Sequence, residues 1–179
     1  MNLYLVRHGK TDYNQMNLYQ GRIDIPLNIE GMADCFRVSK ELKEVKFDFV
    51  YTSPLKRAKD TARIIAPRLN AHSDDRIIER DLGDYEGKSF KDDNGDIDER
   101  FDDLNLNYKA NNVEGMKDLF DRVTDFLEEI KLKHKGKNVL VVTHNGAINA
   151  INHYINGIPQ DGKLKYKKMG NTKFVKYEL

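Results

Sequence analysis

The chain has 179 residues, 30 of them basic and 29 acidic, and a single cysteine. That length suits one domain able to bury a core without disulfides or a structural metal, and the near-zero net charge provides no global field toward nucleic acid or a membrane. No apolar run is long enough to span a bilayer, and Met1 leads into a short strand without a cationic leader, so the expected location is the cytoplasm.

In chain order, residues 2–6 form an apolar strand that breaks on Arg7, His8 and Gly9. A long loop over residues 10–30 carries Gly21 and Pro26, and a helix is expected from about Met32 to Val45; Cys35 on it reads as a buried or half-buried thiol. Residues 47–52 read as a second strand. Ser53 and Pro54 then have the chemistry of an N-cap and a first helical residue, and Leu55, Ala58, Ala62, Ile65, Ala66 and Leu69 recur at helical spacing. A short strand near Arg76–Ile78 precedes a turn-rich segment from Glu79 to Gly87.

Residues 88–114 are acidic and rich in Asn and Asp, which suggests short helices or a cap over a site. Met116, Leu119, Phe120, Val123, Leu127 and Ile130 mark the clearest amphipathic helix, ending near Lys135 and Gly136. A second apolar strand, 138–142, breaks on Thr143, His144, Asn145 and Gly146. Residues 164–179 alternate enough for one or two edge strands, one of which could pair with a second copy in a homodimer. Lys163, Lys165, Lys167, Lys168, Lys173 and Lys176 crowd this end and read mainly as solvated surface. Alternating strands and helices predict an α/β protein: a single domain, 1–179, built as a three-layer α/β/α sandwich with a largely parallel central sheet.

Two strand–histidine units, far apart in sequence, would deliver His8 and His144 to the carboxyl edge of that sheet, where open α/β sheets bind ligands. Arg7 supplies a planar, permanently charged fork suited to phosphate or carboxylate. Asn145 and Gly146 open a helix whose free N–H groups also favour an anion. Arg57 falls in the first turn of its own helix, where a cation opposes the dipole and a bound anion would relieve the conflict. Thr11 and Asn14 add neutral donors.

The ordered set Leu5-Val6-Arg7-His8-Gly9-Lys10-Thr11 with Asn14, Gln20-Gly21-Arg22, Asp24-Ile25-Pro26-Leu27-Asn28 with Gly31, Tyr51-Thr52-Ser53-Pro54-Leu55-Lys56-Arg57-Ala58 with Thr61-Ala62, Glu79 to Gly87, and Val142-Thr143-His144 resembles the histidine phosphatase superfamily, also called phosphoglycerate mutase-like. The resemblance implies that His8 is the nucleophile and is transiently phosphorylated. Arg7, Arg57 and His144 would hold the phosphoryl oxygens, helped by Asn14, Gly21 and a backbone N–H near Asn145. It implies no cofactor and no metal, because dense positive charge on the equatorial oxygens serves in-line transfer.

A carboxyl group must protonate the leaving alkoxide. Glu79, Asp81, Asp84 and Glu86 are the candidates; family position favours Glu79, and Glu86 ranks second as a structural carboxylate holding the loop. One departure is visible: the family often has two glycines after the second histidine, where this chain has Asn145 and then Gly146. Asn tolerates left-handed backbone, so the phosphate-binding N–H is expected to survive.

The chain lacks the arginine-rich insertion of the family's glycolytic mutases, which favours hydrolysis of a small phosphomonoester over phosphoglycerate mutase activity. A non-catalytic module that binds phospho-ligands is the reading from a different class. A metal hydrolase is disfavoured because Arg7 and Arg57 would repel a cation.

Overall fold

The structure is a computed structural model that describes residues 1–90, 112–162 and 167–179. Most of the expected cap, together with Lys163 and Lys165, lies outside the described residues. Five strands, β1 (Asn2–Arg7), β2 (Phe49–Thr52), β3 (Ala71–Ser73), β4 (Asn138–Thr143) and β5 (Phe174–Glu178), form one sheet in the order β3-β2-β4-β1-β5. Every pairing is parallel except β5 on β1. Among the described residues, five α-helices join them: α1 (Asp12–Gln15), α2 (Ile29–Glu41), α3 (Lys56–Ile65), α4 (Met116–Lys133) and α5 (Asn145–Asn156).

The pleat sorts apolar side chains onto two faces. Leu3, Leu5, Val139 and Val141 pack against Leu119, Val123, Phe126 and Ile130 of α4 and Ile148 and Ile151 of α5. Val6, Val50, Leu140 and Val142 point the other way, onto Val38 of α2 and Ala58, Ala62 and Ile65 of α3. This is the three-layer α/β/α sandwich expected from the sequence. Continuous apolar runs in β1 and β4 follow from burial on both faces. Among the described residues, no helix is long and apolar enough to cross a membrane.

Several expected boundaries move, each for a local reason. α2 begins at Ile29 rather than Met32, because the Asn28 side chain accepts the Gly31 N–H at 2.8 Å and caps it there; it ends at Glu41, short of Val45. Ser53 is not the cap of α3. Leu55 occupies that position without a side-chain bond, and Ser53 turns its hydroxyl into the site. α3 stops at Ile65, which leaves Leu69 beyond it and exposed. The strand expected at Arg76–Ile78 is a 3-10 turn, Asp75–Ile77, capped by Asp74, whose carboxylate also binds the Arg76 guanidinium. The strand itself lies earlier, as β3. Only one edge strand forms among the described residues near the C-terminus, β5.

Candidate active site

In the parallel register of β1 with β4, Arg7 lies opposite Thr143, so the residues that follow, His8 and His144, leave the sheet side by side. Their ring centroids are 5.0 Å apart. His8 is seated at both ends: its N–H donates to the Thr143 carbonyl at 3.0 Å, and its Nδ1 lies 2.7 Å from the Gly9 carbonyl. A carbonyl can only accept, so Nδ1 carries the proton and Nε2 of the neutral ring keeps its lone pair. Burial, reinforced by Arg57 and Arg7, holds the His8 pKa well below the usual 6.5, which keeps the ring neutral.

A Cβ on Gly9 would lie 2.8 Å from Cys35 Sγ and 3.0 Å from the Gly31 carbonyl, so the missing side chain lets α2 press against the backbone beside His8. Cys35 is the buried free thiol that its helix position suggested. Thr61 of α3 secures the same peptide. Its hydroxyl accepts the Gly9 N–H at 2.9 Å and donates to the Arg57 carbonyl at 2.7 Å, tying the turn after His8 to the helix that carries Arg57.

Arg57 is fully buried in the first turn of α3, as expected from its place in the sequence. Its guanidinium donates to the Ile23 carbonyl at 2.7 Å, the Gly21 carbonyl at 2.7 Å and Nδ1 of His144 at 3.3 Å. An unpartnered buried cation would cost several kcal/mol, and these acceptors offset that cost without neutralising the charge. Burial lowers the Arg57 pKa to about 10, so it remains a cation at neutral pH. Gly21 therefore reaches the site through its carbonyl, which positions Arg57.

His144 caps α5 by backbone position. Because Nδ1 accepts from Arg57, the proton sits on Nε2, which lies 2.6 Å from the Ser53 hydroxyl. Burial and then Arg57 hold its pKa well below 6.5 as well. Arg7, also buried, donates through Nη1 to the Met169 carbonyl. Asn145 is the first residue of α5 with helical backbone, so the left-handed conformation that its side chain would tolerate is not used. Its Oδ1 accepts the Met169 N–H at 2.8 Å. Asn14 uses Oδ1 to accept from Thr11 and from Asn171 Nδ2, the latter also 3.1 Å from the His8 carbonyl.

The two leading carboxylates separate by environment. Glu79 Oε1 accepts the Gly146 N–H at 3.0 Å and the Arg80 N–H at 2.9 Å, so the group rests on the amino end of α5 next to His144. A Cβ on Gly146 would collide with that carboxylate, which accounts for the glycine. Glu86 Oε1 instead accepts from Arg22 N at 2.8 Å and Leu82 N at 3.2 Å, pinning the two loops together. Among the described residues, no group of three or more His, Cys, Asp and Glu side chains could hold a metal ion.

Sequence reasoning missed the roles of Ser53, Thr61, Asn171, Glu114 and Arg122. Ser53 was assigned to a cap and Thr61 was carried only as part of a pattern; the others had no local signal, since each acts on residues distant in sequence.

A family profile described as histidine phosphatase superfamily (branch 1) matches residues 3–179. A metal-independent phosphoserine phosphatase of Arabidopsis thaliana is 36% identical over 175 residues, covering 90% of this chain and 71% of the relative. The solved structure of Bacillus stearothermophilus YhfR superposes with a TM-score of 0.85 at 30% identity, over 99% of this chain and 91% of that one. A phosphoserine phosphatase mutant from Entamoeba histolytica, solved in complex with phosphoserine, gives a TM-score of 0.80 at 25% identity, over 98% and 89% of the two chains. With paired strand-end histidines, two buried arginines and a match running almost from end to end, the chain belongs to the histidine phosphatase superfamily.

Proposed function

We propose that this enzyme hydrolyses a small phosphomonoester through a phosphohistidine on His8. The observation that carries the reading is the unprotonated Nε2 of a buried, neutral His8, set among Arg7, Arg57 and His144. In the first step Nε2 attacks phosphorus, the P–O ester bond breaks, and the Glu79 carboxyl group delivers a proton to the departing oxygen. Arg7, Arg57, Asn14 Nδ2 and the Asn145 N–H stabilise the charge on the phosphoryl oxygens, joined by the His144 Nε2–H once it turns from Ser53 to the phosphoryl group. In the second step water attacks phosphorus, Glu79 takes its proton, and inorganic phosphate leaves with His8 restored.

Each carboxylate accepts two backbone N–H groups, and Glu79 is favoured over Glu86 because one of its donors is the amino end of α5 beside His144, whereas both donors to Glu86 are in loops. The whole chain is read as one domain. A buried thiol with no disulfide partner suits a reducing compartment, and we place the enzyme in the cytoplasm. Phosphoserine is the first substrate to test, since it is bound by the related Entamoeba phosphatase.

The test is to quench p-nitrophenyl phosphate turnover with base and map the phosphate by mass spectrometry. Phosphate on His8, absent from the His8→Ala variant, with turnover undiminished by EDTA, is the expected result. Phosphate on His144, or no turnover by the wild-type protein, would overturn the mechanism; the second outcome favours a binding module.

A further inference from the structure

The Glu79 carboxylate is placed by the Gly146 N–H, but its backbone belongs to a turn without regular structure. What fixes that turn is a side chain from the opposite direction. Arg122, on α4, donates Nη1 to the Arg76 carbonyl at 2.7 Å and the Ile78 carbonyl at 2.8 Å, and Nη2 to the Glu79 carbonyl at 3.2 Å. The same guanidinium grips Glu114 with two parallel bonds, Nε to Oε1 at 2.7 Å and Nη2 to Oε2 at 2.9 Å.

Glu114 closes the arrangement around the turn. Its backbone N–H reaches the Asp81 carbonyl at 2.9 Å, its carboxylate accepts from Asp81 N at 3.2 Å, and its carbonyl accepts Nε of Arg80 at 2.7 Å. Arg22 adds Nε to the Glu79 carbonyl at 3.3 Å and Nη2 to Glu114 at 3.3 Å. The backbone of residues 78–81 is thus gripped on both sides of Glu79 by one half-buried ion pair. Burial pushes the Glu114 carboxyl up, but Arg122 and then Arg22 outweigh it and hold the group below the ordinary carboxylate value, so the clamp stays ionised.

We propose that the Glu114–Arg122 pair positions Glu79 for proton transfer, a task beyond holding the fold together. The inference rests on the reading of Glu79 as proton donor. A guanidinium is needed because one planar fork serves three carbonyls and a bidentate carboxylate; an ammonium cannot span that set. Proton transfer requires the donor within hydrogen-bond reach of the leaving oxygen, so a small displacement of the turn penalises poor leaving groups selectively.

The experiment measures kcat/KM for a series of substituted phenyl phosphates, from phenyl to p-nitrophenyl, in the wild type, Arg122→Lys, Glu114→Gln, Glu79→Gln and Glu79→Gln/Arg122→Lys. Glu79→Gln is expected to lose about 10²-fold on phenyl phosphate and little on p-nitrophenyl phosphate. Arg122→Lys and Glu114→Gln are expected to lose about tenfold on phenyl phosphate with the same selectivity. The double variant should be no steeper than Glu79→Gln alone, since a displaced donor cannot matter once the donor is gone.

A uniform loss across the series, or none, in both Arg122→Lys and Glu114→Gln while Glu79→Gln is steep would overturn the positioning role and leave the acid assignment standing. A flat Glu79→Gln series would overturn the acid assignment itself, and the positioning role with it. Should Arg122→Lys fail to fold, the isosteric Glu114→Gln variant decides the question alone.

Discussion

The floor and the side wall of this site are built on different principles. The floor consists of two adjacent strand ends and a helix start: His8 and His144 follow paired residues of β1 and β4, and Arg57 stands in the first turn of α3. Its geometry is a by-product of the sheet, which the core already holds rigid on both faces. The wall that carries Glu79 is a run of turns, and its place is set by side chains reaching in from Arg122, Arg22 and Glu114. On the proposed mechanism, charge stabilisation is therefore entrusted to backbone register, and proton delivery to an ion-pair clamp. The first tolerates little change; the second can be retuned by single substitutions.

That contrast can be broken most severely at the floor. Arg57→Ala removes a buried cation aimed at His144, and kcat/KM should fall about 10³-fold by the same factor for every phenyl phosphate, because phosphoryl charge is common to all of them. Leaving-group selectivity in this variant would blur the division between floor and wall. Glu79→Gln comes next, with the selective loss of about 10²-fold already described, and equal losses on activated and unactivated esters would erase the wall as a separate functional unit.

Thr61→Val tests whether floor and core are one structure. It strands the buried Gly9 N–H, so urea unfolding should show a loss of about 1–3 kcal/mol, with Thr61→Ser recovering most of it. An unchanged unfolding midpoint would show that the hydroxyl bridge to α3 is dispensable.

The smallest effect expected is that of pH on stability. His8 and His144 have folded-state pKa values below their unfolded value of 6.5, so the unfolded chain takes up more protons as pH falls below 6.5. Their contribution is complete above that value and is lost as pH drops from 6.5 toward the folded values. Unfolding free energy measured from pH 8 to 5.5 should decline more steeply in the wild type than in a His8→Gln/His144→Gln variant. Parallel curves would mean that the two imidazoles are not the buried neutral groups described here.

Legibility followed the same division. The floor was readable because each element announces its residue locally: a β-branched run ending on Arg7-His8-Gly9, another ending on His144, and a helix with Arg57 in its first turn. Glu79 was reached by its order in the family pattern rather than by any local signal. Arg122 offered nothing in sequence, since a polar residue on the flank of an amphipathic helix is ordinary until its partners are known. Ser53 was misread because Ser followed by Pro fits a helix start, yet the tertiary pull of His144 on its hydroxyl outweighed the cap.

The amino-acid order alone determined that this chain would form a parallel sheet sheathed by helices, and that two histidines and two arginines would meet at its carboxyl edge. Periodicity and strand ends are properties of neighbours, and neighbours are what a sequence records. Only the tertiary structure decided which nitrogen of His8 is unprotonated, that Ser53 orients His144, and that Arg122 of α4, paired with Glu114 just before that helix, holds the turn of Glu79. The last two outcomes depend on which donor finds which acceptor across 33 to 91 residues of chain, and the first on a backbone turn that brings the Gly9 carbonyl onto the ring of its neighbour His8. That pairing is settled by packing, once burial makes every unsatisfied polar group costly.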